Sequence, residues 1–208
     1  EYAAEGFTYK GKFYPLCLSE KRKVDSTNNT VANELFTPTI DKKISDEIWQ
    51  VVQNAVLSLS DSDTSSHTEV LVDSLGKIWL VESAGRGGGF MVAEGLLPWA
   101  FGIDLAEISV KAACNIEMTI PEPNKTYATL RFYPSRKGIL KSILGMDKCH
   151  GVRNLLVGAL ADIGTQFSEG QNDAARLGYI LARGNSQREA LALADFAMES
   201  IEFNVEPE

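Results

Sequence analysis

Between His67 and Gly89 the chain reads His-Thr-Glu-Val-Leu-Val-Asp, then Ser-Leu-Gly-Lys, then Ile-Trp-Leu-Val-Glu-Ser-Ala-Gly-Arg-Gly-Gly-Gly. Both flanks are rich in apolar and β-branched residues, and the residues between them include Ser74 and Gly76. The segment therefore predicts two antiparallel strands joined by a tight turn. If Asp73 and Ile78 close that turn, Glu69 and Glu82 face each other on one side of the ladder. Directly opposed like charges destabilise a sheet, so the pair must splay into water or share a compensating cation. A divalent cation of the Mg²⁺ type, which takes one or two carboxylates together with phosphate oxygens, would satisfy it.

Composition removes other classes of function. The net charge of -8 argues against nucleic acid or an anionic membrane surface as partner, because both require basic patches. No apolar run approaches the roughly 20 residues of a membrane-spanning helix. Cys17, Cys114 and Cys149 form an odd, unpatterned set, which reads as reduced thiols packed in a core and a cytoplasmic protein. At 208 residues the chain can bury a substantial core.

Glu1 to Tyr9 reads as a strand, Lys10-Gly11-Lys12 as a turn and Phe13 to Leu18 as its partner. A chain that opens inside a hairpin strand without Met reads as a piece of something longer. Lys21-Arg22-Lys23 then starts a polar stretch, Asp25 to Thr30, expected to be a loop. Ser45 is placed to cap a helix carrying Ile48, Val51, Val52, Ala55, Val56 and Leu59 at helical spacing. Beyond the central hairpin, Met91 to Trp99 has a helical pattern, and Asp104-Leu105-Ala106-Glu107 is a capping box for a helix ending near Cys114. Pro121 and Pro123 mark a boundary, dividing the chain into residues 1–119 and 120–208. In the second part Thr126 to Tyr133 and Leu177 to Gly184 read as strands. Ser186-Gln187-Arg188-Glu189 caps a helix, and Ile201 to Val205 closes a small α+β unit.

Taken in order, the opening hairpin, the His67-Thr68-Glu69 strand, the strand and loop from Val81 to Gly88, and the Gly178-to-helix ending resemble the C-terminal half of an ATP-grasp enzyme. More closely, the chain resembles carboxylate–amine ligases of the L-amino-acid ligase type, and more distantly carbamoyl-phosphate synthase and biotin carboxylase. The resemblance implies an α+β fold: the C-terminal portion of an ATP-grasp domain, an antiparallel sheet with helices, in residues 1–119, and a small α+β subdomain in 120–208. It implies ATP with Mg²⁺ or Mn²⁺ as cofactors, and a small-molecule carboxylate and an amine as substrates. Glu69 and Glu82 fall where the family holds metal, Arg86 where it contacts the transferring phosphate, and Lys21 where the substrate-facing loop leaves the lid. Many relatives carry an asparagine ligand two residues after the second glutamate, where this chain has Ala84.

The chemistry suits those residue types. Phosphorylating a carboxylate loads charge on the phosphoryl oxygens, which metal and arginine neutralise. Gly87, Gly88 and Gly89 allow backbone amides to approach an anion. Plainer alternatives stand beside each assignment: solvated strand carboxylates, an Arg86–Glu82 salt bridge, a flexible glycine turn, a solvated run at Lys21, and a His67 that fills the strand edge without touching metal. Two function classes remain open, an ATP-dependent carboxylate–amine ligase with a carboxylase as its nearest chemical variant, and a non-catalytic or incomplete ATP-grasp module. As a fragment of such a ligase, the chain alone is expected to fold but neither bind ATP tightly nor turn it over, and its uncovered cleft to favour self-association or docking with a missing N-terminal portion.

Overall fold

The computed structural model describes residues 1–23, 31–168 and 175–207, and the expected loop from Asp25 to Thr30 lies outside them. The chain packs as two compact units: residues Glu1–Glu20 with Thr37–Lys125, and residues Lys21–Phe36 with Thr126–Glu208.

In the first unit, β1 (Tyr2–Tyr9) and β2 (Lys12–Lys23) form an antiparallel hairpin. Lys10 and Gly11, with φ of 50° and 72°, make a turn whose two central residues are both left-handed, the geometry that matches strand twist. β2 runs past the expected end at Leu18, so Lys21 to Lys23 are strand and not the opening of a loop. The hairpin β4 (Thr64–Val72) and β5 (Ile78–Ala84) pairs onto β1, giving the order β5-β4-β1-β2.

The helix α1 (Lys42–Leu59) covers the back of these strands. It begins one turn earlier than expected, because the Asp41 carboxylate accepts the Lys43 N–H at 2.8 Å and takes the capping role assigned to Ser45. Ile48, Val52 and Val56 fall four residues apart on one face and are buried against Ala4, Phe13 and Val70. Each such side chain contributes about 1.5–3 kcal/mol of apolar burial. The segment expected as a helix from Met91 is a π-helix, Val92–Phe101, with Pro98 inside it. Leu96 N–H reaches back five residues to the Met91 carbonyl, the wider winding of a π-helix, frequent at functional sites. α2 (Leu105–Ala113) follows, capped by Asp104 and ending at Cys114, which is exposed; the expectation of a core residue holds for Cys17 and Cys149 but not there, because a helix terminus faces solvent.

In the second unit, β3 (Ala32–Phe36), β6 (Tyr127–Pro134), β10 (Arg176–Gly184) and β8 (Leu155–Ala159) lie in the order β3-β6-β10-β8. A second small sheet has the order β11-β7-β9, from β11 (Glu202–Glu206), β7 (Gly138–Leu144) and β9 (Gln166–Phe167). α3 (Gln187–Ser200) begins at the Ser186 cap and buries Ala190, Ala194 and Ala197. Those small side chains let the helix backbone approach the strands, and Tyr133 uses the closeness to donate its hydroxyl to the Ala197 carbonyl at 2.7 Å. Among the described residues no helix is long and apolar enough to cross a membrane.

Candidate functional site

The site grows from the turn between β4 and β5. Asp73 Oδ1 accepts the N–H groups of Leu75 and Lys77 at 2.9 and 3.0 Å, and Oδ2 accepts the Trp79 indole N–H at 2.9 Å. The indole first, then the Lys77 amide, hold the Asp73 carboxyl below its ordinary range. With Asp73 spent on the turn, the ladder closes one residue earlier than expected, Val72 opposite Ile78. Carried on without interruption, that register would set Glu69 opposite Val81. An irregularity at Glu69/Val70 absorbs one residue of β5, and Glu69 faces Glu82 after all.

Glu69 and Glu82 are joined by His67, and one ligand atom from each of the three lies within 4.8 Å of the others. His67 is buried and points along the same face. Its Nδ1 sits 2.5 Å from Glu5 Oε1 and its Nε2 3.3 Å from Glu69 Oε1. Burial alone would push the imidazole down, but the hydrogen bonds and charges of Glu5 and Glu69 outweigh it and raise the pKa to about 9. The two carboxylates thus favour the protonated form of the ring. Expected only to fill the strand edge, His67 instead stands between Glu5 and Glu69 and within reach of the same point as the opposed glutamates.

Glu5 ties this strand face to the glycine loop. Its side chain is only 2% exposed, and while Oε1 meets His67, Oε2 accepts the Gly88 N–H at 2.9 Å. A Cβ on Gly88 would stand 2.6 Å from Glu5 Oε1 and 3.0 Å from His67 Nδ1, so only glycine lets the loop lie this close. Gly87 is held equally tightly, since a Cβ there would meet Leu105 Cδ2 at 2.5 Å. The anion that Gly88 approaches in this structure is thus the chain's own Glu5. Arg86 is exposed and donates from Nη1 to the Gly87 carbonyl at 3.0 Å. It forms no ion pair with Glu82, which removes the salt-bridge alternative. The loop leaves through Phe90 and Met91, both left-handed at φ 49° and 68°, a conformation that costs about 1–2 kcal/mol per residue. The Glu94 carboxylate steadies it by accepting the Met91 N–H at 2.8 Å.

Glu69, Glu82, Arg86, Gly87 and Gly88 thus come together around one hairpin of the first unit. Lys21 lies in the second unit, near the C-terminal end of the strand β2, next to an Arg22 that is engaged: it meets Glu34 at 2.5 Å. Glu34 is 1% exposed and also accepts Arg131 Nε at 2.7 Å and Thr129 Oγ1 at 2.9 Å. Part of the basic cluster is therefore structural. A cavity of about 440 Å³ beside Trp49, Pro38 and Phe101 of the first unit includes none of the hairpin carboxylates.

The fold is an α+β arrangement of the ATP-grasp type, shared with the solved structures that follow. Residues 131–206 match the family described as L-amino acid ligase C-terminal domain 2. Among solved structures, the L-amino acid ligase from Bacillus licheniformis superposes with a TM-score of 0.83 at 19% identity, over 99% of this chain and 51% of that one. The phosphoribosylglycinamide synthetase from Anaerococcus prevotii gives 0.76 at 16% identity, over 99% and 53%. The biotin carboxylase domain of the Hydrogenobacter thermophilus 2-oxoglutarate carboxylase, solved with MgADP, ADP and bicarbonate, gives 0.75 at 11% identity, over 98% and 46%. No curated protein sequence matches the chain. The chain spans about half the length of the solved structures it matches.

Proposed function

We propose that the chain is the cation- and phosphate-handling part of an ATP-dependent ligase that activates a small-molecule carboxylate as an acyl phosphate and joins it to an amine. The observation that carries this reading is the facing pair Glu69 and Glu82, with Arg86 on the adjoining loop, on a fold shared with ligases and a carboxylase domain.

The donor set fits Mg²⁺ or Mn²⁺, being hard carboxylate oxygens from two facing strands. When bound, such an ion neutralises charge on the phosphate oxygens of ATP. Glu69 and Glu82 would hold it. His67 keeps Glu69 turned toward the shared face through its Nε2–H. Arg86 presents a planar, permanently charged fork suited to the oxygens of the transferring phosphoryl group. Gly87 and Gly88 keep the loop flat enough for phosphate to reach it. Lys21 would supply a further positive charge toward the nucleotide or the acid. In the first step a carboxylate oxygen bonds to the γ-phosphorus as the bond to ADP breaks. In the second the amine nitrogen bonds to the acyl carbon, phosphate leaves, and the amine gives up a proton. ATP as co-substrate suits a cytoplasmic protein.

Steady-state ADP release by the intact ligase, supplied with Mg²⁺, ATP and pairs of amino acids, tests the reading. Glu82→Gln removes a charge that acts on metal and not on the core, and is expected to lower turnover by roughly two orders of magnitude or more with the fold intact. Unchanged ADP release by the Gln variant would contradict the metal role.

A further inference from the structure

The proposed reading uses Glu69, Glu82 and Arg86, and leaves unexplained why a fully buried carboxylate from a different strand stands between them. Glu5 lies on β1, directly opposite His67 in the β1/β4 ladder. Its two oxygens serve the two sides of the site. Oε1 holds His67 Nδ1 at 2.5 Å, and His67 Nε2 in turn reaches Glu69 at 3.3 Å. Oε2 holds the backbone amide of Gly88 at 2.9 Å, two residues beyond Arg86. The strand that carries one cation-holding carboxylate and the loop that carries the arginine are therefore fastened to the same buried group.

The packing shows that the fastening is tight. The space a side chain at position 88 would need is filled by Glu5, His67 and Val92. A buried carboxylate is costly unless its oxygens are hydrogen-bonded, and each oxygen of Glu5 has its partner only while His67 and Gly88 keep these places. Each partner thus fixes the others. A carboxylate that hydrogen-bonds a residue next to a metal-holding group governs that group's orientation, and losing it typically lowers metal affinity about 10- to 100-fold.

We propose that Glu5 is a positioning residue for the cation site: through His67 it orients Glu69, and through the Gly88 amide it sets the loop bearing Arg86. The inference rests on the reading of Glu69 and Glu82 as cation-holding groups and adds the group that aligns them. Glu5 touches neither cation nor substrate.

The test uses the 208-residue chain and Mn²⁺, followed by the electron paramagnetic resonance signal of free ion. Wild type is compared with Glu82→Gln, Glu5→Gln, Gly88→Ala and Val52→Ala. Val52, on the buried face of α1 in a cluster that contains none of the site's charged side chains, reports what lost stability alone does to binding. Gly88→Ala pries the fastening from the loop end and leaves all charges in place. Affinity is referred to the folded fraction measured by circular dichroism.

Expected are Mn²⁺ binding by wild type and its loss in Glu82→Gln. Glu5→Gln and Gly88→Ala should weaken binding about 10- to 100-fold, while Val52→Ala keeps wild-type affinity. A second readout comes from the imidazole of His67, one of only two histidines in the chain. Its Nδ1–H proton should resonate far downfield in wild type and move upfield in Glu5→Gln. Binding lost in Glu82→Gln but unchanged in Glu5→Gln and Gly88→Ala would overturn the positioning role and leave the cation reading standing. Absence of Mn²⁺ binding in wild type, or wild-type binding by Glu82→Gln, would remove both. A ¹⁴N coupling from imidazole bound directly to Mn²⁺ would also overturn the proposal, because His67 would then be a ligand and not the link between Glu5 and Glu69.

Discussion

A buried charge must be answered on all sides, and two glutamates of this chain show it. Glu34, on β3, takes hydrogen bonds from Arg22, Thr129 and Arg131, and Arg131 reaches on to Asp195 at 2.6 Å. Removing one partner from such a buried set leaves charge stranded in low dielectric. Glu34→Ala should therefore cost about 3–5 kcal/mol of stability, read as a drop in the urea midpoint, and a loss below about 1 kcal/mol would show that the cluster is solvated after all. Neither Glu34 nor Glu5 stood out in the sequence. A single acidic residue in a strand looks the same whether it faces water or core. What distinguishes them is partners far along the chain, Thr129 at a separation of 95 residues for Glu34 and His67 at 62 for Glu5. The hairpin glutamates were legible because their pairing is local, set by a turn only a few residues away.

At the scale of elements, local signals were reliable where they were redundant. The Asp104 and Ser186 boxes cap the helices they were expected to cap, and the two-residue turn at Lys10–Gly11 follows from its residue types. The start of α1 was misplaced because two residues one turn apart, Asp41 and Ser45, both have capping chemistry, and an aspartate further from the apolar stripe captured the helix. The difference can be measured. Asp41→Ala should cost about 1 kcal/mol, a fall of about 2–4 °C in Tm for a chain of this size, whereas Ser45→Ala should be close to neutral. The reverse order would place the cap at Ser45. Missing altogether from the sequence reading were β3, β7, β8 and β9. They are short, carry no sharp turn signature, and owe their existence to neighbouring strands that a one-dimensional pattern does not display. The irregularity at Glu69/Val70 was hidden for a related reason: the turn took one residue more than its composition suggested, and the ladder recovered the register further on.

For the whole molecule, the fold and the placement of the carboxylates speak to different questions. Superposition at 19% identity or less establishes the fold, and one fold supports many chemistries. The proposed reaction is argued from the site: opposed glutamates, a histidine between a buried carboxylate and one of them, and an arginine on a loop that only glycine can bring so close. Those residues lie together in the first unit, whereas the match to the L-amino acid ligase family falls on residues 131–206, in the second. The family match and the candidate site thus fall on separate parts of the chain. The central claim is that Glu69 and Glu82 together hold a divalent cation. It is tested most directly by growing crystals of the protein in Mn²⁺ and recording anomalous diffraction. The account predicts one strong peak between the Glu69 and Glu82 carboxylates, within bonding distance of an oxygen from each, with His67 still hydrogen-bonded to Glu5. A map with no peak there at saturating Mn²⁺, or with the ion bound to only one of the two glutamates, would contradict it.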